Sequence, residues 1–269
     1  MPPKTKKTSH DRELLLRWVT SIILAPILIW VIGFADHLWL LFLVILAIAI
    51  GHWELNRILF SGWGKEISGW VFAVLALLLP ILSYTNGLQG LLIALLINLV
   101  GFFIEAIRSY ENVNPATEVL LSRVFSVIYV PFLLSHILFL PRVWIFFTLS
   151  VIFAGDAGAF FFGRRFGRHK LSPKVSPGKT IEGSLGGLAM SLLVAFLFGL
   201  RFHLSRELPL VILIALLLNG VGQLGDLAES LLKREKKIKD SSTILPGHGG
   251  LLDRMDSLLL AFPLVYYLI

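Results

Sequence analysis

The sequence of 269 residues is 56% hydrophobic and 15% charged, with a mean hydropathy of +0.82, whereas a soluble globular domain is about a quarter charged. That balance excludes an ordinary soluble fold: at roughly 20 apolar residues per crossing, the length accommodates about eight to ten membrane spans and no large soluble domain. The absence of cysteine excludes disulfides and thiolate metal sites, and the net charge of +7 sits between apolar runs, so it reads as membrane topology and not as a nucleic-acid surface.

The chain begins with MPPKTKKTSHDRELLLR, a basic, polar stretch without a cleavage pattern, and it reads as a cytoplasmic tail and not as a removed signal peptide. Apolar runs follow at about 15–35, 37–56, 67–84, 87–107, 119–140, 143–163, 183–201, 207–226 and 250–269. They predict an all-α polytopic membrane bundle of about nine transmembrane helices. Residues 1–110 supply N-terminal membrane helices, 111–150 middle helices, and 151–269 C-terminal membrane helices with cytoplasmic loops. The first two runs meet at Ala-Asp-His, which implies a tight helical hairpin. Pro26, Pro80, Pro131 and Pro263 interrupt spans and mark kinks.

The basic residues alternate by loop. Lys4, Lys6, Lys7, Arg12 and Arg17 occupy the tail, Arg57, Lys65 and Arg108 the even-numbered loops. Two clusters follow, Arg164 to Lys179 and Lys233 to Lys239; only Arg142, Arg201 and Arg206 fall in the odd loops. By the positive-inside rule the N-terminus and both clusters are cytoplasmic and the C-terminal end is outside. A cell (inner) membrane location is expected.

Four acids break the apolar pattern. Asp156 stands eight residues before Arg164, and Asp226 seven before Lys233; on helices that sinks both about two turns, roughly 10–12 Å, below the basic rim. Asp253 and Asp256 follow the glycine turn that re-enters from the same side. An acid in a span costs several kcal/mol unless paired or wet, and marks a functional site by default. A buried ion pair is the bland alternative, and it explains one acid better than four. Asp226 and Glu229, like Asp253 and Asp256, are three residues apart and share a helix side. Converging carboxylates beside phosphate are the ligand set Mg²⁺ prefers.

In PGHGGLLDRMD, Gly247, Gly249 and Gly250 permit positive φ and close backbone approach, and the next helix points free N–H groups at the turn, which suits an anion. His248 could donate to a phosphate, although a lone loop histidine usually does not. The stretch GRRFGRHKLSPKVSPGKTIEGSLGG joins cations to prolines and the hydroxyls of Ser176 and Thr180, a composition suited to polyphosphate. Its GKT lacks the first glycine and the buried strand of a P-loop. GVGQLG at 220–225 lies inside an apolar span, where small residues serve helix packing.

Residues 230–257 resemble the signature of the phosphatidate cytidylyltransferase (CDP-diacylglycerol synthase) family through Ser230, Lys233, Arg234, Lys239, Asp240, His248, Gly249, Gly250, Asp253, Arg254 and Asp256. Asp156, Lys174, Ser176, Pro177, Lys179, Thr180, Glu182 and Gly183 extend the likeness, as does GDLAES before the signature; the first 150 residues share only hydropathy.

The resemblance implies a Mg²⁺-dependent integral membrane enzyme that joins CTP to phosphatidic acid, giving CDP-diacylglycerol and pyrophosphate; whether a second metal ion, monovalent among the options, also binds stays open. It implies Asp226 and Asp253 as metal ligands supported by Asp156 and Asp256. Lys174, Ser176, Lys179 and Thr180, with Gly249 and Gly250, would cradle nucleotide phosphates, while Lys233, Arg234, Lys239, His248 and Arg254 hold the lipid phosphate or pyrophosphate. A homodimer in the lipid bilayer is expected. The alternatives are a cytidylyltransferase for an archaeal ether lipid or polyprenyl phosphate, and an ion-coupled transporter, which would carry acids near the midplane and repeated halves.

Overall fold

The computed structural model describes residues 20, 22–60, 67–110, 116–202, 208–245, 247 and 249–269. Ten helices and one small hairpin make up the described chain: α1 (Ile22–Gly33), α2 (His37–Leu59), α3 (Ile67–Ala76), α4 (Leu78–Ser109), α5 (Ala116–Val127), α6 (Leu133–Ser135), α7 (Arg142–Phe166), β1 (Lys170–Ser172), β2 (Ser176–Thr180), α8 (Ile181–Arg201), α9 (Leu208–Glu235) and α10 (Leu252–Leu268). The chain is an all-α polytopic membrane protein.

Among the described residues, six helical stretches are long and apolar enough to cross a bilayer. One of them, Trp70–Arg108, runs 39 residues, about twice what a crossing needs. It doubles back. Gly87 adopts φ 59°, ψ −145° inside α4, a conformation glycine reaches without steric cost. Phe72 and Phe102 then pack with ring centres 4.9 Å apart, and Asn98 donates to the Leu75 carbonyl at 3.1 Å. Residues this far apart on one straight helix could not touch, so the two runs predicted at 67–84 and 87–107 are separate limbs of a hairpin. The apolar α10 is 17 residues long.

The predicted prolines differ in effect. Pro80 follows the break at Leu77 between α3 and α4, and Pro131 lies in a widened helical turn, Ile128–Phe132, that joins α5 to α6. Each lacks the N–H that a regular ladder needs. Pro263 lies inside the continuous α10.

Two apolar cores result. The smaller joins α3, α4 and α5 through Phe72, Leu79, Leu91, Phe102 and Val127. The larger is built mainly on α2 and α7 to α10 around Ile48, Leu55, Phe147, Ile214, Leu218, Leu252 and Phe262. Outward-facing Phe34, Trp70, Ile107 and Phe161 are exposed apolar side chains, as lipid contact requires.

α7 and α8 form the most extensive helix pair. Their seam is made of small residues: a side chain at Gly187 would lie 2.7 Å from the Gly155 carbonyl, and one at Gly158 would lie 2.8 Å from the Gly186 carbonyl. Backbones approach closely where nothing else fits between them. The loop predicted between these helices contains a short antiparallel hairpin, with Lys170 opposite Thr180 and Ser172 opposite Ser176. Glu182 on α8 anchors it, accepting from the backbone N–H of Arg168 at 3.0 Å and lying 2.6 Å from His169 Nδ1.

Candidate active site

α7, α9 and α10 converge around a cavity of about 340 Å³ lined by Asp156, Asp226, Glu229, Lys233, Asp240, Asp253, Arg254 and Asp256. The four acids singled out in the sequence therefore meet in one place. Helical spacing explains it: Asp226, Glu229 and Lys233 occupy one face of α9, and Asp253, Arg254 and Asp256 the first turns of α10. Six carboxyl groups face this cavity.

Their cationic partners are Lys233, Arg254 and Lys179. Lys233 Nζ lies 2.6 Å from Asp253 Oδ1 and 2.8 Å from Glu229 Oε2. Lys179, at the end of β2, reaches across to Asp226 Oδ2 at 2.6 Å, and Ser230 donates to the other oxygen of Asp226 at 3.4 Å. The Asp226, Lys179 and Arg254 charges all act on Asp156. Asp256 is buried, and its Oδ1 accepts from the backbone N–H of Ser257 at 2.7 Å. Three cations against six acids leave an excess of negative charge in a cavity walled by membrane helices.

Asp253 is the most heavily engaged of the acids. Besides Lys233 it accepts from Gly250 N at 2.8 Å, Ser241 N at 3.0 Å and Ser241 Oγ at 3.0 Å. These bonds fold the 241–250 turn onto α10. Gly249 sits at φ 85°, where a side chain would also stand 2.9 Å from Asp253 Oδ2. At Gly250 a methyl group would fall 1.8 Å from Ser241 Oγ and 2.6 Å from Glu54 Oε1. The two glycines are thus fixed by carboxylates packed against them. The Leu245 N–H donates to the Gly249 carbonyl at 2.9 Å and closes the turn.

The other predicted residues fall in several places. Arg234 donates through Nε to the Val175 carbonyl at 3.3 Å and ties α9 to the hairpin. Lys174 is exposed and Ser176 half-buried on that hairpin, outside the cavity lining. The buried Thr180 hydroxyl accepts from Gly183 N at 3.1 Å as the N-cap of α8. His248 lies outside the described residues. Within GVGQLG, Gly222 and Gly225 pack against Ile152 on α7 and Asp256 on α10, whereas Gly220 faces open space.

Glu54 on α2 is a residue the sequence analysis missed. It is fully buried and accepts from Leu251 N at 3.0 Å and Leu252 N at 2.6 Å. The signal was an isolated acid in an apolar run, the same signal that marked Asp156. Tyr129, also missed, sets its hydroxyl 3.5 Å from the Gly225 carbonyl beneath the acids.

Among the described residues, no three acidic or imidazole side chains form a ready metal cage. The donor chemistry still fits a hard cation, since every acid supplies oxygen and the charge balance is negative. Glu229 Oε1 is buried without a hydrogen-bond partner among the described residues.

The profile of the Cytidylyltransferase family matches residues 15–269. The chain belongs to that family. It is similar to proteins named phosphatidate cytidylyltransferase: one from Bacillus subtilis (strain 168) is 48% identical over 126 residues, 47% of each chain. One from Haemophilus influenzae is 45% identical over 128 residues, 45% of this chain and 43% of that one. One from Staphylococcus haemolyticus is 48% identical over 128 residues, 47% of this chain and 48% of that one. The chain thus spans about half the length of the curated relatives it matches.

Proposed function

We propose that this protein is a CTP:phosphatidate cytidylyltransferase. An ionised phosphate oxygen of phosphatidic acid attacks the α-phosphorus of CTP. The bond from that phosphorus to the β-phosphate bridging oxygen breaks, and CDP-diacylglycerol and pyrophosphate are released. The observation that carries this reading is the gathering of Asp156, Asp226, Asp253 and Asp256 with Lys233 and Arg254 around one cavity, in a chain of this family.

The residues have distinct tasks. Lys179, on the hairpin with Lys174 and Ser176, links the nucleotide-phosphate region to Asp226. Lys233, Arg234 and Arg254, with Lys239 and His248 from the signature, would hold the lipid phosphate or the pyrophosphate. Two anionic reactants meet here, so positioning and charge neutralisation dominate the rate. No general base is needed, because the attacking phosphate is already ionised at neutral pH.

Mg²⁺ is part of the proposal, with room for a second ion, monovalent among the options. Asp226, Asp156 and Asp256 would hold it with Asp253, whose oxygens already accept from Lys233, Ser241 and Gly250. When bound it would neutralise phosphate charge and steady the departing pyrophosphate.

The same reading orients the chain in the cell (inner) membrane with its N-terminus, basic clusters and cavity toward the cytoplasm, and includes a homodimer. Light scattering of the detergent-solubilised protein measures the oligomer; a monomeric mass contradicts that part. The test of function is pyrophosphate release from CTP by purified protein with phosphatidic acid and Mg²⁺. Ether-linked and prenyl phosphates run beside it assign the lipid.

A further inference from the structure

Glu54 lies in α2, far in sequence from the cavity. Its carboxylate accepts from Leu251 N at 3.0 Å, Leu252 N at 2.6 Å, Ser241 Oγ at 3.2 Å, and Ser242 Oγ. Leu251 and Leu252 open α10, which has no side-chain cap from its own N-cap residue. The leading N–H groups of a helix have no intrahelical partner, and a negative charge there is favoured by hydrogen bonding and by the helix dipole together. For α10 the cap comes from a residue 198 positions away from Leu252.

Ser241 stands between two carboxylates. Its Oγ lies 3.2 Å from Glu54 and 3.0 Å from Asp253, and its N–H donates to Asp253 at 3.0 Å. Asp253 in turn takes Lys233 at 2.6 Å. A continuous set of contacts therefore runs from α2 through the 241–252 turn to the cavity. Gly250 is the residue that lets Glu54 come so close, since a side chain there would overlap both Glu54 and Ser241.

We propose that Glu54 is a positioning residue: it fastens the 241–252 turn and the start of α10 to α2, and so fixes Asp253 and Lys233 in the cavity. Its effect on turnover rests on the cytidylyltransferase reading; its hold on the turn does not. A carboxylate that accepts several bonds cannot be matched by an amide, which turns its own N–H groups toward donors.

The experiment uses the full-length protein in detergent, wild type beside Glu54→Gln and Glu54→Asp. Lys236, Lys237 and Lys239 are exposed just before the turn, so trypsin reports its local opening. Each lost charged hydrogen bond raises local opening by about tenfold or more. Nicking at these lysines should rise about that much in Glu54→Gln while the global unfolding temperature moves by only about 2–4 °C. Turnover should fall about tenfold or more in Glu54→Gln, and Glu54→Asp, which keeps the carboxylate, should recover part of it.

Unchanged nicking overturns the proposal. Faster nicking with unchanged turnover in an active wild type overturns the positioning role. An inactive wild type overturns the function instead, and trypsin still judges the contact. If Glu54→Gln does not fold, Ser242→Ala removes one of the same bonds and must show the same local opening.

Discussion

Lys233 Nζ lies 2.6 Å from Asp253 Oδ1, joining the last turns of α9 to the first turn of α10. The same ammonium meets Glu229 Oε2 at 2.8 Å. One cation thus neutralises two largely buried acids and sets the spacing of the two helices that build the cavity.

Lys233→Met leaves both acids without their cation. Removing one partner of a buried pair typically costs about 3–5 kcal/mol, so thermal unfolding in detergent should show a drop of many degrees. Retained folding should still come with turnover reduced by about a hundredfold or more. Wild-type turnover in this variant contradicts the role given to Lys233.

The pair of Lys179 and Asp226, 2.6 Å apart, connects the hairpin to α9. Lys179→Ala should raise the KM for CTP, whereas Asp226→Asn should lower kcat and weaken the dependence on Mg²⁺. Combining them should cost less than the sum of the single effects, by about 0.5–3 kcal/mol, as residues in contact do. Simple additivity in steady-state kinetics contradicts the contact.

Three glycines in one helix offer a comparison with an internal control. A methyl group on Gly225 would stand 2.3 Å from the Asp256 carbonyl, and on Gly222 2.7 Å from Ile152, whereas Gly220 faces nothing within 4 Å. Gly225→Ala should destabilise by about 1–3 kcal/mol through overpacking and displace Asp256. Gly220→Ala should be neutral or stabilising by up to about 1 kcal/mol. Equal unfolding temperatures for the two contradict the close α9 and α10 contact.

Orientation is testable because the sequence has no cysteine. Asp36, between α1 and α2, and Lys237, after α9, are both exposed, and the proposed topology puts them on opposite sides. A membrane-impermeant maleimide applied to intact cells should label Asp36→Cys but reach Lys237→Cys only after permeabilisation. The reverse pattern contradicts the assigned topology.

Much of this was legible because membrane helices announce themselves by length and apolarity. The hairpin turn at Gly87 matched the predicted gap between runs. The acids were legible for the same reason, as charge within apolar sequence stands out. Less visible were features set by contacts between distant segments. Glu54 lies 187 residues from Ser241, and nothing local to HWELNR states that it caps α10. The short β1 and β2 hairpin was hidden within a basic loop, where prolines and lysines obscure any alternation of side chains. Thr180 was legible as a hydroxyl but not as the cap of α8, because its hydrogen bond depends on where that helix starts.

The most direct test of the central claim is pyrophosphate release by the purified protein with CTP, Mg²⁺ and phosphatidic acid, compared with Asp226→Ala and Asp253→Ala. The account predicts release that requires lipid and Mg²⁺ together, stops on chelation, and falls about a hundredfold or more in both variants. Absence of lipid-dependent release in the wild type contradicts the function, and full activity in either variant contradicts the site.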